Sequence, residues 1–151
     1  MAKNKDDRRG FIREAAAAGG LAGMAALAMA APSKAAGGKI EKTAAGLQLG
    51  NLVFTSGLTG VAEGDFGGTI EEQTRTILEK HKTNLEAAGS SLDNVLKVVV
   101  YMADIKVEKP AMNEVYGEFF TGPVRPSRSA VGVEFPDAKT KVEIEMIAWV
   151  P

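Results

Sequence analysis

The residues best suited to chemistry lie near the C-terminal end, in Pro123-Val124-Arg125-Pro126-Ser127-Arg128-Ser129. Arg128 opens a predicted strand whose neighbours are small or apolar. There an arginine presents a planar, permanently charged fork to a carboxylate, a directional and strong contact once partly desolvated. The neighbouring strand supplies Glu143, for which the same sheet face is one of two choices. An arginine anchor and a carboxylate a few ångströms apart can bind a small acid and work on its far end. The same pattern also fits a solvated ion pair at a strand end, and the residues alone leave both open. His81, the single histidine, falls between Ile77 and Leu85 on an apolar helical stripe, the place of a packed core residue. The glycines of residues 57–68 follow neither G-x-x-x-x-G-K-[ST] nor G-x-G-x-x-G, so no phosphate cradle is expected. No H-E-x-x-H or D-x-D-x-D-G motif motivates a metal.

Composition narrows the chemistry further. The 151 residues are 45% hydrophobic and 25% charged, with no cysteine, one histidine and a net charge of −1. Zero cysteine removes disulfides, Cys-ligated zinc and thiol nucleophiles. One histidine leaves triads and two-histidine nuclease mechanisms without parts. A charge near zero argues against a general nucleic-acid binder.

These totals average two unlike segments. Residues 1–34 begin polar and basic, then run through residues 15–31 as uncharged Ala, Gly, Leu and Met. Ala28 and Ala30, just before Pro32, offer an A-x-A cleavage site, and the three parts together predict a signal peptide. Arg8-Arg9 followed by Gly10-Phe11-Ile12-Arg13 resembles a twin-arginine export signal. The alternative is a permanent anchor, since residues 15–33 approach the ~20 residues that span a bilayer. Alanine and glycine drive insertion poorly, and Pro32 closes the run. The expectation is therefore export in folded form to the periplasm, with no stable membrane association after cleavage. Loss of residues 1–30 removes Lys3, Lys5, Arg8, Arg9 and Arg13 with Asp6, Asp7 and Glu14, leaving 13 basic and 16 acidic residues, net −3. Residues 35–151 then form one domain, large enough to bury roughly two-thirds of its unfolded surface.

Within that domain, Leu47-Gln48-Leu49 and Leu52-Val53-Phe54 flank Gly50-Asn51, a hairpin signal. Thr69-Ile70-Glu71-Glu72 reads as a capping box. The helix it opens carries Ile70, Thr74, Ile77, Leu78, His81, Leu85 and Ala88 on one stripe and ends at Gly89. Val95–Met102 is apolar on both faces apart from Lys97, so it must be covered on both sides. With two helices to offer, a partner subunit is the expected second cover. A second helix places Pro110 in its first turn, with Met112, Val115, Tyr116, Phe119 and Phe120 at helical spacing. Residues 127–135 and 141–150 are the last strands, the final one alternating cleanly. The order β-β-α-β-α-β-β predicts an α+β fold, a mixed sheet with two helices on one face.

Ordered pieces of this domain resemble a known family. They are Gly50-Asn51-Leu52-Val53-Phe54-Thr55-Ser56-Gly57, Gln73-Thr74, Leu85-Glu86-Ala87-Ala88-Gly89-Ser90-Ser91-Leu92 and Asp93-Asn94-Val95-Leu96-Lys97-Val98. Met112-Asn113-Glu114-Val115-Tyr116 with Phe119-Phe120, Pro126-Ser127-Arg128-Ser129 and Val142-Glu143-Ile144-Glu145-Met146-Ile147-Ala148 complete them. Together they resemble the reactive intermediate (imine) deaminases, the Rid, YjgF or L-PSP family. The resemblance implies a chorismate-mutase-like fold and a homotrimer whose sheets form a central barrel with ligand clefts between subunits. It implies hydrolysis of 2-imino or enamine acids to 2-keto acids and ammonia, with no metal or organic cofactor.

By position, the resemblance makes Arg128 the grip on the substrate carboxylate and Glu143 the residue that positions and activates water. Asn113, Ser56 and Gly57 match cleft-lining positions. Ala130 stands where many members have a cysteine whose backbone carbonyl makes the contact. Thr43 stands where the family's deaminases usually carry a cleft tyrosine, and its hydroxyl sits on a much shorter side chain. The alternative is a non-catalytic trimer that binds small carboxylates or offers a chaperone-like surface. An endoribonuclease, an activity attributed to some members, fits an acidic mature chain without aromatic-basic interleaving poorly.

Overall fold

The computed structural model describes residues 38–61 and 67–151. The predicted export signal, residues 1–34, lies outside the described residues. Seven strands and two helices follow in the order β1 (Ile40–Lys42), β2 (Gly46–Leu49), β3 (Leu52–Thr55), β4 (Leu58–Thr59), α1 (Ile70–Ala87), β5 (Val95–Met102), α2 (Ile105–Phe119), β6 (Ser127–Gly132) and β7 (Val142–Trp149). They form one mixed sheet, β1-β2-β3-β7-β5-β6, with β4 also on β7. Only β5 and β6 run parallel; the other pairs are antiparallel. The predicted α+β order holds, with two short strands added at β1 and β4.

Local chemistry sets these elements. Gly50 takes the left-handed conformation (φ 61°) that the tight β2–β3 hairpin turn requires. Thr69 and Glu72 close the predicted capping box at the start of α1, side chain to backbone in both directions. Its inner stripe of Ile70, Thr74, Ile77, Leu78, His81 and Leu85 is buried. Gln73, also buried, donates through Nε2 to the Gly67 and Lys139 carbonyls (2.7 and 2.8 Å) and accepts from the Lys141 amide (2.9 Å). It thereby ties α1 to the loops around it, with every polar atom satisfied.

Helix α2 starts at Ile105, five residues before Pro110, behind the N-cap Asp104, whose side chain accepts from the Val107 amide. Pro110 therefore sits inside the helix and removes a bond to the Lys106 carbonyl. Lys106 and Pro110 are both exposed, so water can take that carbonyl. Strand β6 ends at Gly132 rather than at residue 135, because β5, its partner, ends at Met102. The Val133 amide makes the last bond, to the Met102 carbonyl.

The sheet has two unlike faces. Val53, Val98, Val100, Met102, Val142, Ile144, Met146 and Ala148 lie buried on the side of the helices. On the opposite face Leu47, Leu49, Phe54, Val131 and Trp149 remain 37–53% exposed. Two bulges keep the inner face apolar. One lies between Val95 and Lys97, turning Leu96 outward so that Val95 and Val98 both face the core. The second separates β3 from β4. Phe54 pairs with Ile147 and Leu58 with Ile144, so four steps on one strand meet three on the other. The extra residue flips the alternation and carries Leu58 onto the core side. No helix among the described residues is long and apolar enough to cross a membrane.

Candidate functional site

The β3–β4 bulge leaves Thr55, Ser56 and Gly57 outside the regular ladder. Thr55 Oγ1 takes the Met146 amide at 2.9 Å in place of a backbone carbonyl. Ser56 and Gly57 are thereby laid, exposed, along the edge where β7 begins. Gly57 has no room for a side chain. A Cβ there would overlap the Glu143 carboxylate and lie 2.8 Å from its Cδ. Glu143 is half-buried, in register with Thr59 and Tyr101, on the face away from the helices. Ser56, Gly57 and Glu143 form one half of the predicted site.

Arg128 belongs to the other half. It is in register with the buried Val98, so it rises on the helix side of β6. Its guanidinium carbon lies 4.4 Å from the centroid of the Tyr116 ring, a cation–π contact. Tyr116 is itself stacked on Phe120, with centroids 4.4 Å apart. One helical turn sets Asn113 beside Tyr116. Asn113, Tyr116, Gly117, Arg125, Pro126 and Arg128 line an open depression of about 270 Å³. No acidic side chain is among them. The ion pairs among the described residues, Lys39–Glu41, Arg75–Glu118 and Lys141–Glu108, use neither arginine.

Two buried polar atoms in this depression, the Tyr116 hydroxyl and Asn113 Oδ1, have no partner among the described residues. Such atoms carry a desolvation cost of about 1–3 kcal/mol unless a ligand or water meets them. Burial pushes the Tyr116 hydroxyl up to about 12, against the pull of Arg128 and Arg125. It stays a neutral donor at any working pH.

Contrary to the expectation from sequence, Glu143 does not stand on the strand next to Arg128, since β5 separates β6 from β7. Nor do the two share a face: Arg128 aligns with Val98 on the helix side, and Glu143 with Tyr101 on the other. Within one chain the arginine and the carboxylate are not brought together.

Thr43 is spent locally. Its hydroxyl accepts from the Gly46 amide (3.3 Å) and lies 3.4 Å from the Gly46 carbonyl, which also accepts from the Thr43 amide at 2.8 Å. It closes the β1–β2 turn, near the end of the sheet that carries Ser56, because Gly46 pairs with Thr55. Ala130 pairs with Val100 and packs its methyl on the core. His81 is buried, with Nε2 2.9 Å from the Ile144 carbonyl and Nδ1 unpartnered. Burial holds its pKa below the ordinary value, opposed by the bond to Ile144. Among the described residues no group of three acidic or histidine side chains is placed to hold a metal. The sequence pattern gives no role to Tyr116, and none to Arg125 beyond its place in the segment that carries Arg128. The spacing of Tyr116 reads as core, and its buried hydroxyl leaves no trace in a pattern of apolar positions.

A mixed sheet backed by two helices, with an arginine-lined depression at one edge, defines an α+β domain. Residues 39–150 match the family model described as "Endoribonuclease L-PSP". The chain is 42% identical over 106 residues to a RutC family protein of Pyrococcus horikoshii, covering 68% of this chain and 82% of that one. It is 34% identical over 105 residues to Reactive Intermediate Deaminase A, chloroplastic, of Arabidopsis thaliana, covering 68% and 55%. The crystal structure of a YjgF family member from Neisseria meningitidis superposes with a TM-score of 0.68 at 24% identity, over 75% of this chain and 96% of that one. The chain belongs to the Rid/YjgF/L-PSP family and has its chorismate-mutase-like fold.

Proposed function

We propose that this protein is an exported imine deaminase, working as a homotrimer, that hydrolyses 2-imino acids to 2-keto acids and ammonia. The observation that carries the reading is Arg128, stacked on Tyr116 in a depression without a carboxylate. An unpaired, half-buried guanidinium is matched to an anionic ligand, and a carboxylate fits its fork. Kinship with a named reactive intermediate deaminase at 34% identity supports the chemistry.

The separation of Arg128 from Glu143 supports a site shared between chains. The sheet face that carries Glu143 also exposes Leu47, Phe54, Val131 and Trp149, an apolar surface of the kind that oligomers cover. Closing that face against further copies, as the family resemblance implies, sets the Arg128 edge of one subunit against the Glu143 edge of the next. The substrate carboxylate then lies on Arg128, and Asn113 Oδ1 accepts from the iminium. Glu143 takes a proton from water as the water oxygen attacks the imine carbon and the C=N π pair moves to nitrogen. Glu143 passes that proton to the nitrogen, and the C–N bond breaks. Glu143 takes the hydroxyl proton as the carbonyl forms and hands it to the departing ammonia, so iminium and water leave as keto acid and ammonium. No cofactor is required, and a positioned general base of this kind contributes about 10²–10⁴-fold.

The test is ammonia release from 2-iminopropanoate generated in the cuvette, with wild type and Arg128→Ala. Wild type accelerates release, and Arg128→Ala loses about 10–100-fold in kcat/KM, the worth of one charge-assisted contact. An unchanged rate in Arg128→Ala overturns the anchor. A second reading, a carboxylate-binding trimer without turnover, is favoured by Thr43, whose hydroxyl serves the β1–β2 turn. It predicts calorimetric binding of propanoate with no acceleration. An RNA-cleaving role has less support, because the mature chain would be acidic and His81 is buried.

A further inference from the structure

Arg125 is not needed by the reaction as written. A 2-imino monocarboxylate has one carboxylate, and Arg128 holds it. Yet Arg125 lines the same depression as Arg128, Asn113 and Tyr116, and it too is outside every ion pair among the described residues. Two cationic side chains therefore line one depression to which their own chain contributes no acidic group.

The placement is built rather than incidental. Arg125 precedes Pro126, which confines Arg125 to extended backbone and fixes its own φ. The segment between α2 and β6 is thus stiff, and Arg125 and Arg128 lie three residues apart on it. Three extended residues span at most about 10 Å, within the combined reach of two arginine side chains. Tyr116 adds a buried hydroxyl without a partner among the described residues, and the charges of both arginines are felt there.

We propose that Arg125 selects a substrate with a second carboxylate, so that the depression takes 2-imino dicarboxylates such as 2-iminosuccinate. Arg128 holds the carboxylate beside the imine, Arg125 the distal one, and the Tyr116 hydroxyl donates into the same anion. A carboxylate is the better match than a phosphate. Once Arg128 is used, one positive charge remains, and the lining residues of α2 come from its C-terminal half, whose dipole disfavours further negative charge. The chemistry of turnover rests on the deaminase reading; the charge selection does not.

Two measurements on the full chain separate these. Calorimetry with succinate and propanoate reads selection without turnover. Succinate binds at least about tenfold more tightly, Arg125→Ala brings the two together, and Arg125→Lys restores part of the difference. Kinetics with 2-iminosuccinate and 2-iminopropanoate, each generated in the cuvette, read it through the reaction. Wild type prefers the dicarboxylate by about tenfold in kcat/KM, mostly through KM, and the ratio collapses in Arg125→Ala. Thermal melting of each variant confirms folding. Equal affinities for succinate and propanoate, or a preference that survives Arg125→Ala, overturn the proposal. If neither imine is turned over but succinate still binds in an Arg125-dependent way, the deaminase reading fails and the dicarboxylate site stands. If both imines react equally well, the dicarboxylate site fails and the deaminase reading stands.

Discussion

Replacing Gly57 by alanine acts on Glu143 without touching it. The added methyl would overlap the Glu143 carboxylate, with its Cδ only 2.8 Å from the new carbon. Gly57 lies outside the positive-φ glycines, so its backbone accepts alanine without strain. The neighbour that must give way is the far end of a flexible, half-buried side chain. Moving Glu143 off its preferred rotamer costs about 0.5–1.5 kcal/mol, and if it swings into solvent the cost is smaller still. For a domain of this size a change of about 1 kcal/mol lowers Tm by about 4–5 °C at most. The kinetic consequence is larger. If Glu143 is the group that takes the water proton, displacing it forfeits about 10²–10⁴-fold, or about 3–5 kcal/mol of transition-state stabilisation. Gly57→Ala is therefore expected to melt close to wild type while losing at least about a hundredfold in kcat on 2-iminopropanoate. Glu143→Gln should lose a similar factor, and the double variant little more than either single one, because both remove the same function. A Gly57→Ala protein that keeps a third or more of wild-type kcat would refute Glu143 as the base. A variant that unfolds would refute the claim that the clash is local.

Three further outcomes follow from the same geometry. His81 is held neutral by burial, so its folded pKa lies below the ordinary 6.5 and the unfolded chain binds the extra proton. Stability is then full above about pH 6.5 and falls as pH drops toward the folded value, by up to about 1.4 kcal/mol per pH unit for this one proton. Urea midpoints should therefore fall more steeply with acid in wild type than in His81→Gln. Phe54→Lys puts a charge on the exposed apolar face of the sheet, where each buried aromatic is worth about 1.5–3 kcal/mol per subunit. Sedimentation should find three chains for wild type and a smaller species for the variant. Arg8→Lys with Arg9→Lys should retain the protein inside the cell at full precursor mass, whereas wild type appears in the periplasmic fraction shortened by about 30 residues at its N-terminus.

The features legible in the sequence are those whose physics is short-range. A capping box spans Thr69 to Glu72, a hairpin turn needs only Gly50 and its flanks, and β7 alternates residue by residue. Each is decided by groups a few positions apart, so the sequence pattern and the structure agree. Helix α2 shows where one strong signal masks another. Pro110 is a good first-turn residue, yet Asp104 was the cap, and the proline is tolerated inside because its missing bond faces water. β1 and β4 were missed because two or three residues carry no period, and they exist only because β2 and β7 offer them ladder partners.

The site was legible as a set of residues but not as an arrangement, and the reason is strand order. Arg128 and Glu143 lie on consecutive strands in the chain, which invites the inference that they are neighbours in the sheet. The parallel pairing of β6 with β5 places β5 between them, and register then sets the two side chains on opposite faces. Parity along a strand has no partial values: a one-residue slip of β7 would turn Glu143 to the helix side at the cost of exposing Val142, Ile144, Met146 and Ala148, and a slip of β6 would take Arg128 off Tyr116 and Ala130 off the core. These contacts therefore fix the separation, and no side-chain rotation within one chain can undo it. A catalytic pairing of this arginine with this glutamate has to be intermolecular. Subunits that are forced apart should keep the Arg128 depression and its carboxylate binding while losing turnover, which is the dissociation that Phe54→Lys would create.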